Sequence, residues 1–164
     1  MKKSMLHIGV KLVLATTMNR LDYNLYRGWD LPEDENGSDR GYLVEYVDGG
    51  ESNHSDHKGY ISWSPEAVFD SANKASGQMS FGMAIEAAKR GYKVARKGWN
   101  GTGMFAYIVP PGAYPAITEA IKGEFKDDLV PYRSYWALKT AQNDVATWAP
   151  SGSDSLADDW CIVS

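Results

Sequence analysis

A chain of 164 residues with 43% hydrophobic and 23% charged residues has the composition of a globular protein and the length of one ordinary domain or two small ones. Its formal net charge of −4 argues against duplex DNA or long RNA as a partner, because a basic face supplies most of the affinity for a polynucleotide backbone. A small phosphorylated ligand needs only a few cations and backbone amides and stays open. The single cysteine, Cys161, excludes an internal disulfide framework and a Cys-rich zinc site. Within Trp160-Cys161-Ile162-Val163 it reads as a buried thiol, suited to a reducing, cytosolic compartment.

Met1-Lys2-Lys3 and the apolar residues up to Leu14 outline a signal peptide, but His7 and Lys11 interrupt the run and no cleavage site follows. No segment approaches the roughly 20 apolar residues of a membrane span. Alternation of Ile8, Val10, Leu12 and Leu14 predicts a first strand over 8–15. Thr16-Thr17 as capping residues predict a helix over 18–26, closed by Gly28 in the left-handed position. The acidic, turn-rich stretch 31–41 reads as a loop. Strands follow over 42–47, ending at Asp48-Gly49-Gly50, and over 59–63. Ser64-Pro65-Glu66 has the makings of a helix start, with Pro65 at the first helical position and the helix running to Ala72. The polar stretch Asn73–Gln78 then divides the chain into modules 1–75 and 78–164.

In the second module Ser80 caps a helix with Phe81, Ala84, Ile85 and Ala88 at helical spacing, ended by Arg90-Gly91. Strands 93–96 and 104–109 flank a Gly-rich turn over 97–103 and predict an antiparallel pair. Pro110–Pro115 breaks the second strand, and 116–122 reads as a helical turn. Strands 134–140 and 144–148, a short helix 151–157 and a last strand 159–163 complete the chain. Short helices against small antiparallel sheets make an α+β fold.

No nucleophile elbow, Walker loop, Rossmann glycines or zinc-protease helix is present. The adjacent pairs Asp127-Asp128 and Asp158-Asp159 would diverge on a strand. No catalytic residue is therefore assigned, and binding is favoured over catalysis. His54 and His57 flank Asp56, but 51–58 reads as a loop without a helix to align both rings, so no metal or cofactor is expected. The richest segment is Arg96-Lys-Gly-Trp99-Asn100-Gly-Thr-Gly-Met-Phe105. Its glycines bring amides close to a ligand, Trp99 offers a stacking face, Asn100 donates and accepts, and Arg96 and Lys97 add positive charge. That suits a nucleotide; a plain hairpin turn with Trp99 folded into the core explains the same residues. Ser151 and Asp154 fit a capping box, in which the acid serves the backbone, and Trp160 reads as core.

Taken in order, Met79-Ser-Phe-Gly-Met-Ala-Ile-Glu-Ala-Ala-Lys-Arg-Gly91, Val94-Ala-Arg-Lys-Gly-Trp-Asn-Gly101, Gly103-Met-Phe105 and the spaced Trp148, Ser151, Asp154, Leu156-Ala157 and Asp159-Trp160 resemble the Tad2 family of phage anti-Thoeris proteins. The resemblance implies a molecular sponge that binds 1″–3′ glycocyclic ADP-ribose, the signal of Thoeris defence, without cleaving it. It also implies a homo-oligomer, typically a tetramer, with pockets between protomers, acting in the cytoplasm of the infected bacterium. Some relatives hold cyclic dinucleotides, signals of CBASS defence, at separate sites. On this resemblance the ligand residues are Phe81, Arg96, Trp99, Asn100, Trp148, Ser151 and Asp154. Trp99 would stack on adenine, Asn100 and Asp154 would take ribose hydroxyls or the base edge, and Arg96 would face phosphate. The first half, through Tyr23-Asn-Leu-Tyr-Arg-Gly-Trp29, Gly41-Tyr-Leu-Val-Glu-Tyr46 and Gly59-Tyr-Ile-Ser-Trp-Ser-Pro65, resembles an uncharacterised phage module to which no activity attaches. A nucleotide-processing enzyme and a phage structural or host-interaction protein are the competing readings.

Overall fold

The computed structural model describes residues 5–164, which divide into two compact units with the boundary between Lys74 and Ala75. Short helices and small antiparallel sheets of three, five and two strands give the α+β class expected from the sequence. Among the described residues no helix is long and apolar enough to cross a membrane.

The first unit runs β1 (Val13–Thr17), α1 (Arg20–Arg27), β2 (Gly41–Tyr46), β3 (Ile61–Pro65) and α2 (Glu66–Ala72). Its sheet has the order β1-β2-β3, antiparallel throughout. Tyr23 from α1 is buried with Leu43 and Ile61 from the sheet, flanked by Met18, Tyr26 and Trp63. The Trp63 indole N–H donates to the Met18 carbonyl at 2.8 Å, so the half-buried ring carries no orphan donor. Gly28 takes φ +70°, and its N–H returns to carbonyls in the last turn of α1.

Three expected boundaries move, each for a tertiary reason. The first strand begins at Val13, not residue 8, because the ladder with β2 ends at Val13 opposite Tyr46; one more bond, from the Val47 amide to the Leu12 carbonyl, is made before the partner chain enters the Asp48 turn. The preceding Leu6 and Ile8 are fully exposed despite their alternation. Thr16 and Thr17 are drawn into β1 opposite Leu43 and Tyr42, so capping falls to Asn19, whose side chain accepts from the Asp22 amide at 2.7 Å. Ser64 likewise pairs with Tyr42, which extends β3 to Pro65 and puts that proline at the cap of α2 rather than inside its first turn.

The second unit runs α3 (Phe81–Lys89), β4 (Lys93–Arg96), β5 (Phe105–Val109), β6 (Gly112–Pro115), β7 (Leu129–Tyr132), β8 (Tyr135–Lys139), β9 (Val145–Thr147), α4 (Gly152–Ser155) and β10 (Trp160–Val163). Five strands form an antiparallel sheet in the order β10-β4-β5-β8-β9. The Ser80 hydroxyl accepts from the Met83 amide to start α3. The buried Ala84, Ala87 and Ala88 on its inner face let backbone and sheet approach closely over Val94 and Ala106. Trp160, with no exposed surface, is the largest side chain of this core.

The expected break after Val109 and the helical turn within 116–122 are both present, and what the sequence did not announce is a ribbon around them. Gly112–Pro115 is a strand paired with Leu129–Tyr132 in a separate two-stranded ribbon, and a 3-10 turn at Glu119–Ile121 lies between them. Pro115 and Pro131 are tolerated because both strands of a ribbon are edges, where a missing N–H can face away from the partner.

Candidate functional site

The β4–β10 pairing builds the site. Its register sets Trp160 opposite Arg96 and so brings the segment before β10 against the turn that follows β4. The Lys97 amide donates to the Asp159 carbonyl at 3.2 Å, and the Gly98 amide to Asp159 Oδ2 at 2.8 Å. Arg96 spans both carboxylates of this segment: Nε donates to Asp159 Oδ1 at 2.8 Å and Nη1 to Asp154 Oδ1 at 2.9 Å. The Trp99 indole N–H donates to the same Asp154 oxygen at 3.1 Å.

Asp154 closes the network from the other side. It stands at the third position of α4, capped by Ser151. Asp154 Oδ2 accepts from the Ser151 amide at 3.0 Å and the Ser151 hydroxyl at 2.7 Å, while its own amide donates to Ser151 Oγ at 3.1 Å. This is the expected capping box, with the difference that the second carboxylate oxygen reaches out to Arg96 and Trp99. The Asp154 carbonyl accepts from the Trp160 indole at 3.0 Å. Burial pushes the Asp154 carboxyl up. The hydrogen bonds from Ser151, Arg96 and Trp99 together outweigh that and hold it well below the usual carboxylate range. Arg96 and the Gly98 amide hold Asp159 low as well, and the two carboxylates raise Arg96 in turn.

Over this polar frame lies an aromatic cluster. Trp99 meets Trp160 edge-on at 5.4 Å and Trp148 at 5.8 Å between ring centroids. Phe81, at the first turn of α3, lies 5.1 Å from Trp160 and 6.3 Å from Trp148, and Trp136 lies 5.5 Å from Trp148. Edge-to-face contacts of this kind hold each ring at a set angle. Phe81, Trp99, Trp136 and Trp148 remain half-buried while Trp160 is enclosed.

Six of the seven residues expected at the ligand, Phe81, Arg96, Trp99, Trp148, Ser151 and Asp154, thus share one neighbourhood. Asn100 follows on the loop, exposed, and its side chain has no hydrogen-bond partner among the described residues. The two charged members are turned toward each other: Arg96 meets two carboxylates and Asp154 spends both oxygens on protein donors. Asp159, which the sequence places in the family pattern but not among the expected ligand residues, belongs to the same network. The divergence of that pair was the available signal, since Asp158 is exposed while Asp159 faces Arg96. Trp136 carries no local signal in the sequence, because its place depends on β8 lying against β5.

In the first unit the two histidines serve the loop between β2 and β3. His57 Nδ1 donates to Glu45 Oε2 at 2.7 Å, and its Nε2 lies 3.0 Å from the Tyr26 hydroxyl. Glu45 Oε1 accepts from the Lys58 and Gly59 amides, and the bond from His57 followed by that from Gly59 holds this carboxyl low. His54 stacks on Tyr26 with centroids 4.4 Å apart. Among the described residues no group of three or more His, Cys, Asp or Glu side chains is placed to hold a metal ion.

Residues 79–163 match the family described as the Thoeris anti-defense 2-like (Tad2-like) domain. Thoeris anti-defense 2 of Bacillus phage SP01 is 40% identical over 87 residues, a span covering 53% of this chain and 97% of that relative. The matched span contains α3, the Trp99 loop, the capping box and β10, and it leaves the first unit outside.

Proposed function

This chain belongs to the Thoeris anti-defense 2-like family, and from that membership we propose that it is a phage anti-defence protein that captures a cyclic nucleotide immune signal and withholds it from its effector. The signal is 1″–3′ glycocyclic ADP-ribose of Thoeris, with cyclic dinucleotides of CBASS as further ligands. The protein works as a homotetramer in the cytoplasm of the infected bacterium.

The observation that carries the reading is the convergence of half-buried aromatic faces with a rigid polar loop inside the family-matched span. Phe81, Trp99 and Trp148 offer flat surfaces to a base, and Asn100 offers a donor and an acceptor to base edge or ribose. Capture rather than turnover is supported by the state of the ionisable groups. Asp154 and Asp159 are held ionised by Arg96 and by amides, so neither has a proton to give nor the basicity to take one at neutral pH.

The test is recovery of the ligand. Full-length protein saturated with 1″–3′ glycocyclic ADP-ribose, freed of excess and then denatured, should release that molecule unchanged and in stoichiometric amount. A ligand that binds only the folded state also raises the midpoint of thermal unfolding by mass action. Release of a ring-opened or hydrolysed product would overturn capture in favour of a processing enzyme.

A further inference from the structure

We infer that the anionic part of the captured ligand sits on the amides of Asn100–Gly103 beside the Lys139 ammonium, and that Arg96 is a strut for the loop instead of the phosphate contact. The inference rests on reading this site as nucleotide-capturing.

The amides of the 97–103 turn fall into two groups. Those of Lys97, Gly98 and Trp99 are spent on Asp159 O, Asp159 Oδ2 and Arg96 O. The next four, Asn100 to Gly103, donate to no acceptor among the described residues. Gly103 has φ +69° and follows Thr102, which has an ordinary negative φ. Such a change of handedness turns the neighbouring N–H groups at Thr102 and Gly103 toward one point, the start of an anion-binding concavity that the Asn100 and Gly101 amides border. At Gly103 no side chain blocks the approach and the nearest atom is Lys139 Nζ, whereas the space beside Gly101 is filled by Met104 and Ala141.

Charge separates the two candidate cations. Arg96 faces two carboxylates, Asp154 and Asp159, so its surroundings carry a net negative charge; a phosphate would have to displace a carboxylate from it. Lys139, opposite Phe105 in β8, extends to the far end of the turn. Its Nζ donates to the Gly103 carbonyl at 3.3 Å, and no carboxylate pairs with it among the described residues. An ammonium whose one partner is a neutral carbonyl, next to four unused amides, is the stronger attractor for a pyrophosphate.

The experiment uses full-length, 15N-labelled protein titrated separately with inorganic pyrophosphate and with 1″–3′ glycocyclic ADP-ribose, as wild type and as Lys139→Gln. Both ligands should shift the Asn100–Gly103 amide resonances, and Lys139→Gln should weaken both by about tenfold, the worth of one charge-assisted hydrogen bond. If the isomer binds without moving those amides and equally well in Lys139→Gln, the inference is overturned while capture stands. If pyrophosphate binds there in a Lys139-dependent way but the isomer does not bind, the anion site stands and the capture reading fails. Silence toward both ligands overturns both.

Discussion

Replacing Asp154 by alanine removes a carboxylate that serves four donors at once: the Ser151 amide and hydroxyl, Arg96 Nη1 and Trp99 Nε1. The residue is 8% exposed, so water reaches the abandoned donors poorly. Loss of the capping box costs about 1 kcal/mol. The Trp99 indole N–H, left without its acceptor, costs about 1–3 kcal/mol more, whereas Arg96 keeps Asp159 and contributes less. The sum is about 3 kcal/mol, which for a unit of this size lowers the unfolding midpoint by roughly 12–24 °C. Tryptophan fluorescence reports it well, because Trp99, Trp136, Trp148 and Trp160 lie in the second unit. Asp154→Asn keeps the shape but turns one acceptor into a donor, and should fall between wild type and alanine. A destabilisation below about 1 kcal/mol for Asp154→Ala would refute the account, since it would mean that water or Asp159 satisfies those donors unaided.

The same network makes the second unit acid-sensitive. The folded-state pKa of Asp154 lies below the ordinary aspartate value near 4, so its contribution is complete above about pH 4 and is lost as pH falls through the lower folded value. Urea midpoints measured from pH 5 downward should decline for wild type and decline less for Asp154→Ala; parallel declines would show that other carboxylates set the acid limb. Asn100→Ala should leave the stability within about 0.5 kcal/mol of wild type, because the exposed side chain has no partner among the described residues, yet reduce affinity for the cyclic ADP-ribose isomer about tenfold in calorimetry. Unchanged affinity would remove Asn100 from the site and favour a host-interaction role for the chain.

Local chemistry by itself determined much of this protein. Ser80 before a run of helical apolar spacing, Arg90-Gly91 after it, Gly28 in its left-handed position and the Ser151–Asp154 capping box act within one or two turns of backbone, where short-range sterics and hydrogen bonding suffice. The hairpin of β4 and β5, the pair of β8 and β9 and the aromatic wealth of the second unit were legible for the same reason. What needed a distant partner was not. Whether Ile8 belongs to a strand depends on how far β2 extends, and whether Thr17 or Asn19 caps α1 depends on β1 claiming the threonine. The ribbon of β6 and β7 was hidden behind prolines that a two-stranded edge accepts.

The site shows the division most plainly. Arg96, Trp99 and Asp154 could be named as chemically apt one by one, but their charges and donors could be assigned only once β10 lay against β4. That pairing joins Arg96 to Asp159 across 63 positions of sequence and to Asp154 across 58. Contacts so far apart carry no periodicity or capping signal. They follow from packing Trp160 into the core, and only that packing decided that Arg96 braces the loop while the Asn100–Gly103 amides meet no acceptor among the described residues.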